Sequence, residues 1–239
     1  RLYRRHRGLI RNEILRVRPP PRGYNATRST FDVVVHLRLD DIGVADNVYT
    51  LLPLSFYRAV FRRIRLPATA RIAVMGRVVT GSPLQAMDQE RYMLDVARFV
   101  QNQTRVRHVE LLTDNSVEED FRIIMSATYV VASTSTFWFW PAFMSRTIQA
   151  LHVPLFAETL LYEFFRDLDE RDVREGGSQP KKLMARTWSD DGSWYTVFGY
   201  LIPLKKSVLA LDVDVLYDVP GVSKPPTAWS PDPIPADRS

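Results

Sequence analysis

The chain has 239 residues, enough for one substantial α/β domain or for two small lobes that share a cleft. Its composition is globular, with 46% apolar and 25% charged residues, and the absence of cysteine excludes disulfides, thiolate metal sites and cysteine nucleophiles. The net charge of +5 arises from residues 1–28, which carry nine arginines and one glutamate, so no nucleic-acid partner is expected for the rest of the chain.

The N-terminal segment, residues 1–30, is predicted to be a basic helix followed by a linker. The helix spans residues 2–17 and ends at Pro19-Pro20-Pro21. A solvated helix is the favoured interpretation, and binding to phosphate backbones or to an anionic membrane is the alternative. No apolar run approaches the roughly 20 residues that cross a bilayer, so membrane association is not expected.

The sequence does not decide the cellular compartment of the protein, because its features point in opposite directions. The absence of cysteine favours a reducing compartment such as the cytoplasm. Two glycosylation sequons, Asn25-Ala26-Thr27 and Asn102-Gln103-Thr104, are compatible with a Golgi-lumenal parent protein, although such triplets also arise by chance. The chain begins at Arg1 rather than at a methionine, which leaves open a removed anchor or targeting segment.

From residue 31 onward, short β-branched runs alternate with amphipathic segments. The predicted strands are 31–36, 71–75, 108–112, 128–132 and 151–153, and the predicted helices are 54–64, 87–100, 117–125 and 137–145. Such alternation indicates parallel strands with right-handed crossovers, which form an open, doubly wound α/β sheet. Ligands bind beyond the carboxyl ends of the strands in such sheets, so the residues directly after each strand are the candidates for function.

The first strand is followed by His36-Leu37-Arg38-Leu39-Asp40-Asp41. An arginine at this position can donate paired hydrogen bonds to phosphate oxygens, and it stays charged at any working pH. A nearby carboxylate can orient that arginine or accept a proton from a hydroxyl group. A surface salt bridge at the end of a strand is the alternative interpretation.

A run of hydroxyl side chains, Ser133 to Thr136, follows the strand at 128–132 and leads into the aromatic segment 137–140. Hydroxyls at the start of a helix cap free backbone N–H groups, and those groups together suit an anion. There are more hydroxyls than one helix cap needs. The aromatic side chains Phe137, Trp138 and Trp140 are expected to pack mostly in the core.

Together these two segments resemble elements of the α1,2-, α1,6- and protein O-fucosyltransferases. HLRLDD, residues 36–41, is similar to their H-x-R-R-x-D element after a buried strand. Residues 118–145 are similar to a later element, in which an acidic helix and a strand lead into a Ser/Thr-rich turn and an aromatic helix. The resemblance implies a GT-B-like fold of two Rossmann-like halves and an inverting glycosyltransferase that needs no metal.

The resemblance also implies roles for individual residues. Arg38 would hold the diphosphate of the donor, and Ser135 and Thr136 would bind its phosphates together with Ser133. His36 and Asp41 occupy the other fixed positions of the first element, and Asp40 is a further acid, so His36, Asp40 and Asp41 are the candidate catalytic residues. Leu39 stands where the family usually has a second arginine, which leaves the donor open between GDP-fucose, another GDP-hexose and a UDP-sugar.

The expected domain division follows from the same comparison. Residues 31–155 would form the nucleotide-sugar-binding Rossmann-like half, and residues 156–218 a smaller or abbreviated second lobe on the side of the acceptor, which would be a glycan or glycoprotein. Residues 219–239 are expected to form a proline-rich tail. The sequence WSDDGSW, residues 188–194, predicts a turn whose tryptophans either pack or stack on an acceptor sugar.

Weaker candidates lie after the other strands and near the end of the chain. Arg77 follows the second strand, and Asp114 follows the third, where it could contact a ribose or a base or could cap the next helix. Asp212 and Asp214 resemble the D-x-D segment of metal-dependent GT-A glycosyltransferases that use Mn²⁺ or Mg²⁺, although an ordinary strand also places alternate acids on one face. A non-catalytic glycan- or nucleotide-binding domain is the remaining alternative.

Overall fold

The structure is a computed structural model, and it describes residues 9, 12–13, 31–39, 51–79, 86–145, 147–155, 181–188, 195–201 and 217–223. Leu9, Asn12 and Glu13 are helical. The other residues of the N-terminal segment lie outside the described part.

Seven strands form one sheet in the order β3-β2-β1-β4-β5-β7-β6. Their bounds are β1 Val33–His36, β2 Arg71–Met75, β3 His108–Leu112, β4 Tyr129–Val131, β5 Ala150–Leu155, β6 Lys181–Trp188 and β7 Tyr195–Leu201. The first six strands of this order, β3-β2-β1-β4-β5-β7, run parallel to one another. The last strand, β6, pairs antiparallel with β7 at the edge of the sheet. The predicted parallel, doubly wound sheet is therefore confirmed.

Four helices connect the strands of the first part of the chain. They are α1 Leu54–Phe61, α2 Ala86–Thr104, α3 Val117–Ser126 and α4 Phe139–Met144. The predicted order of strands and helices from residue 31 to 155 is confirmed, with small differences at the ends of the elements. The Ser116 hydroxyl accepts a hydrogen bond from the Glu119 N–H at 3.1 Å, and this cap explains why α3 begins at Val117.

The sheet is buried on both faces because its strands are continuous apolar runs. Alternate residues of β1 belong to different cores: Val33 and Val35 pack with α1 and α2, and Val34 packs with α3 and α4. The predicted buried face of α2 is confirmed, and its members Met93, Val96, Ala97 and Val100 are all buried, with Leu94 exposed at the flank. This packing fixes the positions of the strand ends that carry the candidate residues.

The last third of the chain adds to the same sheet. The sequence did not predict strands β6 and β7, which extend the sheet beyond β5. Strands β6 and β7 pair antiparallel. Residues 189–194 of the predicted turn lie outside the described part of the chain. The division into a nucleotide-binding half and a second lobe stays a prediction.

A short C-terminal segment, residues 217–223, packs on the helices of the first part. The Tyr217 hydroxyl donates to the Asp95 carboxylate of α2 at 2.6 Å, and the Ser55 N–H of α1 donates to the Asp218 carboxylate at 2.9 Å. Tyr217 and Val219 are buried in the core on the α1 and α2 side of the sheet. Residues at the boundary of the predicted tail therefore contribute to the core.

Candidate functional site

The strand order reverses between β1 and β4. From β1 the chain builds outward through β2 to β3 on one side, whereas β4 and β5 lie on the other side. The loops that leave the carboxyl ends of β1 and β4 consequently diverge and leave a crevice, which is where open α/β sheets bind ligands. The two segments that the sequence singled out, after residues 36 and 132, leave these two strands.

Two side-chain hydrogen bonds join the exits of β1 and β4. The Nδ1 atom of His36 lies 2.8 Å from the Ser133 hydroxyl oxygen, and Nη1 of Arg38 donates to the Ser135 hydroxyl oxygen at 3.3 Å. Each bond connects residues 97 positions apart in the chain. The structure thus brings together four of the predicted site residues at the crevice.

The turn after β4 is held by its own hydroxyl groups. The Ser133 hydroxyl accepts from the Ser135 N–H at 3.3 Å, and the Ser135 hydroxyl accepts from the Phe137 N–H at 3.0 Å. The Trp138 indole N–H donates to the Ser133 carbonyl oxygen at 3.0 Å. These bonds fix the direction in which the turn enters α4.

The four hydroxyl residues of the turn differ in their access to solvent. Ser133, Thr134 and Ser135 are buried, whereas Thr136 is exposed. The bonds from Arg38 and from the Phe137 N–H use only the lone pairs of the Ser135 oxygen, so its hydrogen can be donated to a ligand. Thr136 and Ser135 are therefore better placed than Ser133 to contact an anion.

His36 is a buried, uncharged group at this site. Only 8% of its surface is exposed, and its ring stacks on Phe137 with the centroids 5.5 Å apart. Burial, and secondarily the positive charge of Arg38, lowers the pKa of His36 to about 4. At neutral pH this side chain holds the Ser133 turn, and its predicted catalytic role stays a prediction.

The exits of β1 and β2 lie in direct contact. A Cβ atom at Gly76, the residue after β2, would stand 3.1 Å from both the Cβ and the carbonyl oxygen of Leu37, and 3.2 Å from Cδ1 of Leu39. A side chain at this position would push the β1 exit away from β2, which glycine alone avoids. Sequence reasoning missed this residue, although a glycine directly after a strand is a known sign of close backbone approach.

The remaining predicted donor-binding residues lie along the same edge of the sheet. Arg77 follows Gly76 after β2, and Asp114 follows β3; both are exposed. The Thr113 hydroxyl donates to the Asp114 carboxylate at 3.2 Å. Asp114 does not cap α3, because Ser116 does so.

Several predicted residues lie outside the described part of the chain. They are Asp40 and Asp41, which follow Leu39, and the Asp212 and Asp214 pair. Among the residues that the structure describes, no group of three or more His, Asp or Glu side chains is arranged to hold a metal ion. The expectation that no metal is needed stays a prediction.

The aromatic segment after the turn is only partly in the core. Trp138 is fully buried, as expected, but Trp140 is 40% exposed, so its predicted burial is wrong. Residues 138 and 140 point to different sides of the short helix α4, since successive residues are about 100° apart around a helix. The Trp140 ring packs edge-on against the rings of Phe139 and Phe143.

Comparisons with protein-family models, curated proteins and solved structures found no match to this chain. In the part of the chain that the structure describes, no helix has the length and apolar character that a membrane crossing requires.

Proposed function

We propose that this protein is an inverting glycosyltransferase of a GT-B-like type, which moves a sugar from a nucleoside diphosphate to a hydroxyl group of a glycan or glycoprotein. One observation supports the proposal most: the two elements that resemble fucosyltransferases meet in the crevice between β1 and β4 through Arg38 and Ser135. This places a permanent cation beside a hydroxyl-rich turn at the edge where such sheets bind ligands.

The chemistry of the proposed reaction fits this arrangement. The oxygen of the acceptor hydroxyl forms a bond to the anomeric carbon while the bond to the diphosphate breaks, and the electron pair leaves with the diphosphate. Arg38, with the hydroxyls of Ser135 and Thr136, stabilises the negative charge that develops on this leaving group. The proton of the acceptor passes to a carboxylate, for which Asp40 and Asp41 are the candidates.

A non-catalytic nucleotide-binding domain is the second candidate, and the state of His36 favours it. This histidine is buried and its pKa is lowered to about 4, so it is poorly suited to take a proton from an acceptor hydroxyl. The described part of the crevice therefore holds binding groups and no exposed acid or base beside Arg38. Both candidate functions predict that the protein binds nucleotides. Only catalytic turnover of a nucleotide sugar therefore distinguishes them.

Release of free nucleoside diphosphate tests the proposed activity. GDP- and UDP-linked sugars are incubated with the protein and a mixture of glycan acceptors, with and without a chelator. We expect release that depends on the acceptor, persists in the chelator and falls at least 100-fold in Arg38→Gln, in line with loss of one transition-state donor. Nucleotide binding without any release that depends on an acceptor would favour the binding domain, and activity abolished by the chelator would favour an enzyme centred on Asp212 and Asp214.

A further inference from the structure

A row of charged residues crosses the carboxyl edge of the sheet. In the pairing of β1 with β2, His36 lies beside Met75, and in the pairing of β2 with β3, Met75 lies beside Leu112. Continuing both registers by two residues places Arg38 beside Arg77 and Arg77 beside Asp114. The row therefore runs Arg38, Arg77, Asp114 from the crevice toward the outer strand.

The contacts beyond the strand ends support this continuation. The Leu37 N–H donates to the Met75 carbonyl at 2.7 Å, and the Gly76 N–H donates to the Leu112 carbonyl at 3.2 Å, so the ladder persists past the last strand residues. The close approach of Leu37 to Gly76 shows that these two residues are still neighbours. Adjacent strands are about 5 Å apart, so the backbones of the next residues, Arg38 and Arg77, are expected at about the same distance from each other.

The two arginines also share one face of the sheet. Leu37 and Leu39 belong to the core on the α1 and α2 side, and Val78 packs against the same core. Because side chains alternate along an extended chain, Arg38 and Arg77 point to the opposite side, where α3 and α4 lie. The hydrogen bond from Arg38 to Ser135 agrees with this direction, since Ser135 leads into α4.

Arg77 differs in its pairing from Arg71, the arginine at which β2 begins. Arg71, Arg91 and Arg122 each form an ion pair with a carboxylate, whereas Arg77 forms none with any residue that the structure describes. Two like charges on neighbouring strands repel each other. A ligand with two linked anionic groups relieves this repulsion better than a ligand with one.

We propose that Arg38 and Arg77 together select a diphosphate over a monophosphate and that Asp114, next in the row, receives the hydroxyls of the ribose. This inference rests on the proposed function and specifies how the donor lies: the phosphate that bears the sugar is at Arg38 beside the crevice, and the nucleoside extends toward β3. A carboxylate repels phosphate but accepts hydrogen bonds from neutral hydroxyl groups, so Asp114 suits the ribose.

The test compares ligands that differ by one feature. Thermal shift and calorimetry measure the binding of GMP, GDP, UMP, UDP and inorganic pyrophosphate to the whole chain. The variants are Arg38→Gln, Arg77→Gln and Asp114→Asn. Arg107→Gln is the matched control. Arg107 is an exposed arginine directly before β3, at the amino end of that strand, whereas Arg38 and Arg77 follow the carboxyl ends of their strands.

The wild type is expected to prefer diphosphates over monophosphates by at least roughly tenfold, the low end of one charge-assisted contact. Arg38→Gln should remove this preference and leave monophosphate binding nearly unchanged, because a monophosphate carries only the phosphate next to the ribose, which lies at Arg77. Arg77→Gln should weaken monophosphates and diphosphates alike, and Asp114→Asn should weaken GDP or UDP without weakening pyrophosphate. The Arg107→Gln control should behave as the wild type.

Three outcomes would overturn the inference. An unchanged affinity of Arg77→Gln for both monophosphates and diphosphates removes Arg77 from the site and leaves the proposed function intact. An unchanged preference for diphosphates in Arg38→Gln contradicts the orientation in which the sugar-bearing phosphate lies at Arg38. If the wild type binds none of the five ligands, the inference and the proposed function fail together.

Discussion

Replacing Arg38 by glutamine is expected to weaken the binding of GDP and UDP by roughly 10- to 150-fold while the melting temperature of the free protein stays nearly unchanged. The side chain is only partly buried, and its bond to the Ser135 hydroxyl is long, at 3.3 Å, so its loss costs the fold little. A charge-assisted contact with a phosphate contributes about 1.5–3 kcal/mol, which corresponds to roughly 10- to 150-fold in affinity.

Calorimetric titration of GDP and UDP into Arg38→Gln, with Arg107→Gln as the control, measures this effect. Both variants lose one positive charge, but only Arg38 lies at the crevice, so only its loss should weaken binding. A variant that melts much earlier than the wild type and shows no specific loss of nucleotide affinity would assign Arg38 to the fold rather than to the site.

Mild acid is expected to destabilise the protein through two buried histidines, His36 and His152. Burial, and secondarily the charge of Arg38, lowers the pKa of His36 to about 4; burial, and secondarily the charge of Arg63, lowers the pKa of His152 to about 3. In the unfolded chain both pKa values return to about 6.5. Below pH 6.5 the unfolded chain therefore binds more protons than the native protein, so stability falls until the native pKa values are reached.

The free energy of unfolding should decrease by about 2 kcal/mol for each histidine between pH 7 and pH 5. Urea denaturation at the two pH values measures this difference in the wild type, in His36→Gln and in His152→Gln. Each substitution should remove about half of the histidine contribution. A pH dependence that is undiminished in both buried-site variants would show that other groups cause it.

The first five strands could be predicted from the sequence because they carry strong local signals. Runs such as Val33 to Val35 are too apolar and too β-branched for any environment other than a buried parallel strand. The order of these elements limits the topology to a doubly wound sheet, and that topology indicates which residues lie at the ligand-binding edge. This rule is enough to predict that Arg38 and Ser135 lie close together.

Strands β6 and β7 could not be predicted as securely, since they lack a continuous apolar run. The first two residues of the edge strand β6 are lysines, a composition that keeps such edges from pairing with other chains, and β7 is interrupted by Gly199. This omission also hid a partner of His152, whose Nδ1 lies 3.2 Å from the hydroxyl of Tyr200 in β7. The sequence alone therefore does not disclose that His152 is part of a buried cluster with Tyr200.

The finer features of the site depend on register, which no local pattern discloses. The contact of Gly76 with Leu37 and the alignment of Arg38 with Arg77 both follow from the offset at which β1 pairs with β2. A shift of one residue would turn Arg77 to the other face of the sheet. The burial of Ser133 and the exposure of Thr136 likewise depend on how the turn packs on His36.

The most direct test of the central claim is a calorimetric titration of the wild-type protein with GDP and with UDP in the presence of a chelator. The proposed site predicts saturable binding of at least one of the two nucleotides without metal, and a ligand at about 100 times its dissociation constant should then stabilise the fold by roughly 2.7 kcal/mol. Absence of binding to both nucleotides, in a sample that is folded, would contradict the assignment of the crevice between β1 and β4 as a nucleotide-sugar site.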